Sequence, residues 1–319
     1  MTIEQKLTPE TPLRPFSHPE WTAKGERRAS VALERLETLW FNTGTLCNIE
    51  CVGCYIESSP TNDRLVYITA AEVKAYLDEI AASGLETREI AFTGGEPFMN
   101  PEMIEMIEAP LRRGFEVLVL TNAMRPMMRK TMLAGLARLI GEHGDRLTLR
   151  ISLDHHTAAA HDELRGAGAF EKTLTGMRWL RDQGARMAVA GRTLWGEAEG
   201  DARRAFADLF EAEGFAIDAA DPGACVLFPE MDETVETPEI TTACWGILDK
   251  APSSVMCSNS RMVVKRKGAK RPTVLACTLL PYDPAFELGE TLAAASGAVS
   301  LNHPHCSKFC VLGGASCSA

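Results

Sequence analysis

No stretch of this chain approaches the roughly 20 consecutive apolar residues that a membrane-spanning helix needs, and its first residues lack the apolar core of a signal peptide. The expectation is a cytoplasmic protein with reduced thiols, so a disulfide framework is not expected among its ten cysteines. Positive charge is also short: 33 Lys and Arg against 43 Asp and Glu leave a net charge of −10, which argues against a broad electrostatic grip on nucleic acid. The one basic run, Lys265-Arg266-Lys267 with Lys270 and Arg271, reads as a solvated hairpin turn around Gly268. Internal repeats and low-complexity segments are missing apart from the alanines at Ala293 to Ala295. Cysteine itself is missing from a long middle, being confined to Cys47 to Cys54 and Cys225 to Cys317, as expected where metal rather than packing places it.

What is present in the first group is a CxxxCxxC loop, Cys47, Cys51 and Cys54, with Tyr55 directly behind it. Such spacing can wrap a cubic iron-sulfur cluster; with no fourth cysteine following locally, one iron would be left open to bind a substrate or cofactor. Zinc, a disulfide or buried thiols are the alternatives, though structural zinc takes four protein ligands. A second stretch, Phe92-Thr93-Gly94-Gly95-Glu96-Pro97, closes the apolar run Glu89 to Phe92, which reads as a buried strand opening into a glycine turn. Paired glycines let backbone approach a ligand closely.

Residues 1 to 36, with Pro9, Pro12, Pro15 and Pro19 and the charged stretch Lys24 to Arg28, read as an arm ending in a short helix. Strand and helix signals then alternate. Strands are expected at 39–43, 90–93, 115–121, 147–154, 185–190 and 225–228. Helices are expected at 71–82, capped by Thr69 and closed by Gly84, and at 101–113, 127–141, 170–183 and 202–213. Helical crossovers of this length argue an α/β fold with a parallel sheet of six units. Composition, 45% hydrophobic and 24% charged, suits one large or two unequal globular domains. Beyond residue 236 the alternation stops and cysteines return among short strand-like runs, two of which flank Gly268 as a hairpin.

The two motifs, in this order and separation, resemble the radical S-adenosylmethionine (radical SAM) superfamily. The resemblance implies an open six-unit (β/α)6 partial barrel over residues 37–235, with the chemistry at the carboxyl ends of its strands. It implies that Cys47, Cys51 and Cys54 hold a [4Fe-4S] cluster whose open iron binds S-adenosylmethionine. The cofactor is then reductively cleaved to a 5′-deoxyadenosyl radical, which takes a hydrogen atom from the substrate. Carried over to this chain, Tyr55 lies near the adenine and Gly94, Gly95, Glu96 and Pro97 face the methionine end. There Glu96 would accept a charge-assisted bond from the cofactor's ammonium. Asn122 at the end of the third strand, Ser152 and Asp154 toward the ribose, and Arg165 toward the cofactor carboxylate complete the expected set. The chain departs from many relatives in having His155 and His156 after the aspartate, where they would contact substrate or simply be solvated.

The carboxyl-terminal cysteines over 236–319 resemble the SPASM and twitch extensions, which hold auxiliary [4Fe-4S] clusters. Cys257, Cys277, Cys306, Cys310 and Cys317 are the candidate ligands for one such cluster; a second would need Cys244, Cys225 or a non-cysteine ligand, and a structural zinc is the rival. Cys225, in the last strand, is expected to be an inert buried thiol unless it faces the barrel mouth. The resemblance further implies a one-electron donor such as a flavodoxin or ferredoxin, and a peptide substrate or, alternatively, a small-molecule metabolite. A non-catalytic iron-sulfur electron carrier would explain the cysteines but not the glycine turn or the six strands.

Overall fold

The computed structural model describes residues 13–229 and 235–313. After a two-residue strand β1 (Ser30–Val31), six strands lie side by side in chain order, all parallel: β2 (Thr38–Asn42), β3 (Glu89–Thr93), β4 (Glu116–Thr121), β5 (Leu147–Ser152), β6 (Arg186–Arg192) and β7 (Cys225–Phe228). The crossovers carry α1 (Ala70–Ser83), α2 (Met103–Arg112), α3 (Lys130–His143), the pair α4 (Ala158–Arg165) and α5 (Ala169–Asp182), and α6 (Glu199–Glu213). This is the expected partial barrel. Helix α4 was not expected: its eight residues are too few for a clear period, and burial of His161 and Leu164 accompanies it.

Every strand alternates, as a period of two requires. Leu39, Phe41, Ile90, Phe92, Val117, Val119, Leu149 and Ile151 pack outward against the helices. Trp40, Ala91, Leu118 and Leu120 pack with the carboxyl-terminal segment on the other face. Helix α1 starts where expected, through a reciprocal capping box in which Thr69 Oγ1 accepts from Glu72 N–H (3.2 Å) and Thr69 N–H donates to Glu72 Oε2 (2.9 Å). It stops at Gly84, whose left-handed φ of 63° costs glycine little.

Past β7, strands β8 (Ser260–Val264), β9 (Thr273–Leu275) and β10 (Glu287–Gly289) continue the same sheet. Strand β8 is parallel to β2 on the side away from β3, and the next two follow antiparallel. The hairpin expected around Gly268 is therefore an extension of the barrel wall. The arm differs from expectation: residues 24–36 form no helix. Instead β1 pairs antiparallel with β11 (Val299–Ser300). Extended backbone turns Arg28 inward, where it bonds Glu239 at 2.5 Å and the carbonyls of His18, Trp21 and Leu301. The basic run dissolves into surface ion pairs, Lys265 with Glu72, Arg266 with Glu287 and Lys267 with Asp63. No helix among the described residues is long and apolar enough to cross a membrane.

Candidate active site and auxiliary metal centre

The two sequence motifs are stitched together by backbone. Strands β2 and β3 end level with one another, and the pairing runs on past their ends. Thr43 N–H donates to Thr93 O (2.8 Å), Gly95 N–H to Gly44 O (2.9 Å) and Glu96 N–H to Leu46 O (3.2 Å). Gly94 has φ 143° and Gly95 packs so closely that a Cβ there would lie 2.2 Å from Leu46 O. The glycines are thus needed to bring the turn against the cysteine loop. That loop is tied further by Cys47 N–H to Ser59 O (3.0 Å) and Val52 N–H to Leu164 O (2.9 Å).

Cys47, Cys51 and Cys54 line one chamber at the carboxyl ends of the strands, together with Tyr55, Gly94, Gly95, Asn122, Ser152, Asp154 and Arg165. Burial pushes the Cys47 thiol up to about 12 and raises that of Cys51, where Arg165 pulls the other way. For Cys47 and Cys51 burial thus favours the neutral thiol; a bound metal cation reverses the balance by taking the thiolate form. Three thiols from one loop, with the only carboxylate of the lining already paired, suit a cluster with one open iron better than a four-ligand zinc.

Asp154 and Arg165 form a two-pronged fork, Nε to Oδ2 at 2.5 Å and Nη2 to Oδ1 at 3.1 Å. Burial acts to raise the Asp154 carboxyl, but Arg165 and then Arg192 outweigh it and hold the group below the usual carboxylate range. Arg192 was missed from the sequence. It stands at the end of β6, 3.7 Å from Asp154, and donates to Gly53 O at 3.0 Å, linking the tip of the cysteine loop to the β5 terminus. Asn48 was missed as well; its side-chain oxygen accepts from Asn122 Nδ2 at 3.0 Å.

Glu96 and Pro97 stand behind the lining. The carboxylate is 2% exposed and accepts from Phe98 N–H (3.1 Å), Thr121 Oγ1 (2.9 Å) and Asn122 N–H (2.8 Å). Burial pushes it up to about 7 against the pull of those donors. In Glu96→Gln one carboxylate oxygen becomes an N–H donor facing donors. The expected result is a loss of about 1–3 kcal/mol of stability and, through the displaced Asn122, weaker S-adenosylmethionine binding. Denaturant midpoints and cofactor titration measure both, and an unchanged pair of values would show that the three bonds contribute nothing.

The chamber is also lined by apolar side chains, Trp40, Leu120, Phe228, Leu279 and Phe309. Phe309 comes from a π-helical turn, Cys306–Leu312, and stacks on Phe228 with ring centroids 5.7 Å apart. Nothing local marks these residues as lining rather than core. Cys225 packs with the helix-facing core cluster, where burial pushes its thiol up to about 11; it does not line the chamber. His155 and His156 stack on each other beside Trp195, with His155 Nε2 2.9 Å from Glu197, and neither lines the chamber.

Cys257, Cys277, Cys306 and Cys310 line a second, small cavity whose other walls are apolar except for His305. Leu279 lines both cavities, so the two share a wall. Cys244 is elsewhere, accepting from Thr241 N–H at 3.3 Å, and Cys317 lies outside the described residues.

A parallel partial barrel carrying a three-cysteine loop at its strand ends, sewn to a glycine turn, defines the class of iron-sulfur proteins that act on S-adenosylmethionine. The chain belongs to the Radical SAM superfamily, whose profile matches residues 41–208. It is 32% identical over 154 residues to the subtilosin biosynthesis protein AlbA of Bacillus subtilis, covering 47% of this chain and 32% of that protein. It is also 32% identical over 139 residues to an AdoMet-dependent heme synthase of Methanosarcina barkeri, covering 42% and 36%. The match thus spans only about a third of the length of these relatives. The fold is similar to that of Streptococcus suis SuiB bound to S-adenosylmethionine, with TM-score 0.58 and 11% identity over 80% of this chain and 63% of that one. It is likewise similar to anSMEcpe with bound AdoMet, with TM-score 0.57 and 13% identity over 81% and 79%.

Proposed function

We propose that this chain is a peptide-modifying radical enzyme with one auxiliary [4Fe-4S] cluster held by Cys257, Cys277, Cys306 and Cys310. The observation that carries the reading is the shared lining: three cysteines and hydrogen-bonding groups line one chamber together with aromatic and aliphatic side chains, and Leu279 joins it to a second cavity lined by four more cysteines. When bound, the cluster at Cys47, Cys51 and Cys54 supplies the electron that breaks a carbon-sulfur bond of S-adenosylmethionine. The chain's own work is to hold and screen. Gly94 and Gly95 present backbone to the cofactor's methionine end, while Asn122, Ser152 and the Asp154–Arg165 fork present polar groups beside it. Arg192 holds the cysteine loop against the β5 terminus, and Trp40, Phe228, Leu279 and Phe309 exclude water where a substrate side chain would sit.

A peptide is favoured because structures similar in fold, SuiB and anSMEcpe, are solved with a precursor peptide and a short peptide. The heme synthase relatives support a second reading, a small-molecule substrate. The test is 5′-deoxyadenosine formation by the anaerobically reconstituted protein with any short peptide found encoded beside its gene. Peptide-dependent stimulation with a changed peptide mass is expected. Stimulation by porphyrins and not by peptides would favour the second reading.

Iron content tests the auxiliary centre. The wild type should hold about eight irons, and replacing Cys47, Cys51 and Cys54 together should leave about four. Tightly bound zinc in that triple variant would overturn the cluster. Substituting Cys257 or Cys306 should lower solubility as well as iron, since metal binding is coupled to folding of the segment that supplies the ligands.

A further inference from the structure

The proposed auxiliary centre has a neighbour that the cysteine pattern does not announce. Arg261, in β8, is 1% exposed, one of the largest fully buried side chains in the described residues. Its guanidinium donates to four carbonyls: Nε to Ala295 (2.9 Å), Nη1 to Cys257 (2.7 Å) and Ser260 (2.8 Å), and Nη2 to Gly297 (3.1 Å). Those bonds engage four of its five N–H donors and leave its charge uncompensated. Among the described residues no carboxylate pairs with it, whereas the other buried arginine near this centre, Arg28, is paired with Glu239.

A buried cation without an anion is strongly unfavourable. The cavity lined by Cys257, Cys277, Cys306 and Cys310 is where an anion would form, because a four-thiolate cluster carries two net negative charges when oxidised and three when reduced. We propose that Arg261 is the counter-charge of the auxiliary centre, a positioning residue that knits the loops around Cys257 and raises the reduction potential of the cluster bound there. The inference rests on the auxiliary-cluster reading. Its physical basis is that the potential of an iron-sulfur cluster follows local net charge and burial. A fixed positive charge in a medium of low effective dielectric favours the more negative, reduced state.

The test uses the full chain with Cys47, Cys51 and Cys54 replaced by alanine, so that only the auxiliary centre is titrated. Iron and sulfide are counted, and the midpoint potential is read from the electron paramagnetic resonance signal of the reduced cluster. Arg261→Met should make reduction at least tenfold less favourable, a downward shift of about 59 mV for one electron. Arg261→Lys keeps the charge while losing most of the carbonyl bonds, so its potential should stay near the parent value even if its stability falls. Equal downward shifts in both variants would assign the effect to the hydrogen bonds and overturn the proposal, as would an unchanged potential in Arg261→Met. If the methionine variant retains no iron, Arg261→Gln takes its place as the neutral variant, with the same tenfold loss expected and an unchanged potential overturning the proposal. Absence of iron from the parent itself would overturn the auxiliary-cluster reading, and this proposal with it.

Discussion

Alanine at Cys47, Cys51 or Cys54 will abolish reductive cleavage of S-adenosylmethionine, with 5′-deoxyadenosine falling to background under anaerobic reducing conditions. The three thiols come from one loop and line one chamber, and the remaining side chains there offer no substitute ligand: Asp154 is locked to Arg165, and His155 and His156 lie outside it. Two thiolates cannot hold a cluster that leaves a single iron open. Cofactor binding and chemistry should fail together in each variant. Retained 5′-deoxyadenosine in any one of them would remove that cysteine from the ligand set.

Gly95→Ala will be nearly as damaging, although it adds only one methyl group. The added Cβ would sit 2.2 Å from Leu46 O, 2.6 Å from Leu46 C and 2.8 Å from Thr45 O, all backbone atoms of the strap that leads into Cys47. No rotamer can relieve that overlap, so the turn and the cysteine loop must part and the bonds from Gly95 and Glu96 across the gap must lengthen. Overpacking of this kind costs about 1–3 kcal/mol and occasionally more. Here it also displaces a ligand of the open-iron cluster, so iron content should drop with stability. Gly84→Ala is the control, because its Cβ would meet nothing within 4 Å and only the left-handed φ is penalised. Equal denaturation midpoints and iron content in the two variants would show that the close approach has no consequence.

Much of this architecture was legible in the sequence because it rests on local signals. The six strands are short apolar runs between helical periods, the cap at Thr69 and the stop at Gly84 are single-residue signals, and both motifs fall at strand ends. The arm misled because Arg27 and Arg28 look like a solvated helical face. Their extended conformation is decided by Glu239, more than two hundred residues away, which takes Arg28 and the backbone N–H groups of Phe16 and Ala23. Helix α4 escaped because eight residues give too little periodicity to stand out.

By itself the sequence determined the six parallel strand-helix units and the cysteine loop with its glycine turn, since period, spacing and the conformational freedom of glycine are properties of neighbouring residues; the open barrel was what the family resemblance implied. Tertiary structure alone decided how the groups are shared. It set Glu96 against Phe98, Thr121 and Asn122, paired Asp154 with Arg165, brought Arg192 to the tip of the cysteine loop, and turned Cys225 to the helices. It also gathered four of the carboxyl-terminal cysteines around one cavity and left Arg261 beside them without a carboxylate. Each of those outcomes depends on which distant segment reaches a buried charge or thiol first, and no local pattern carries that information.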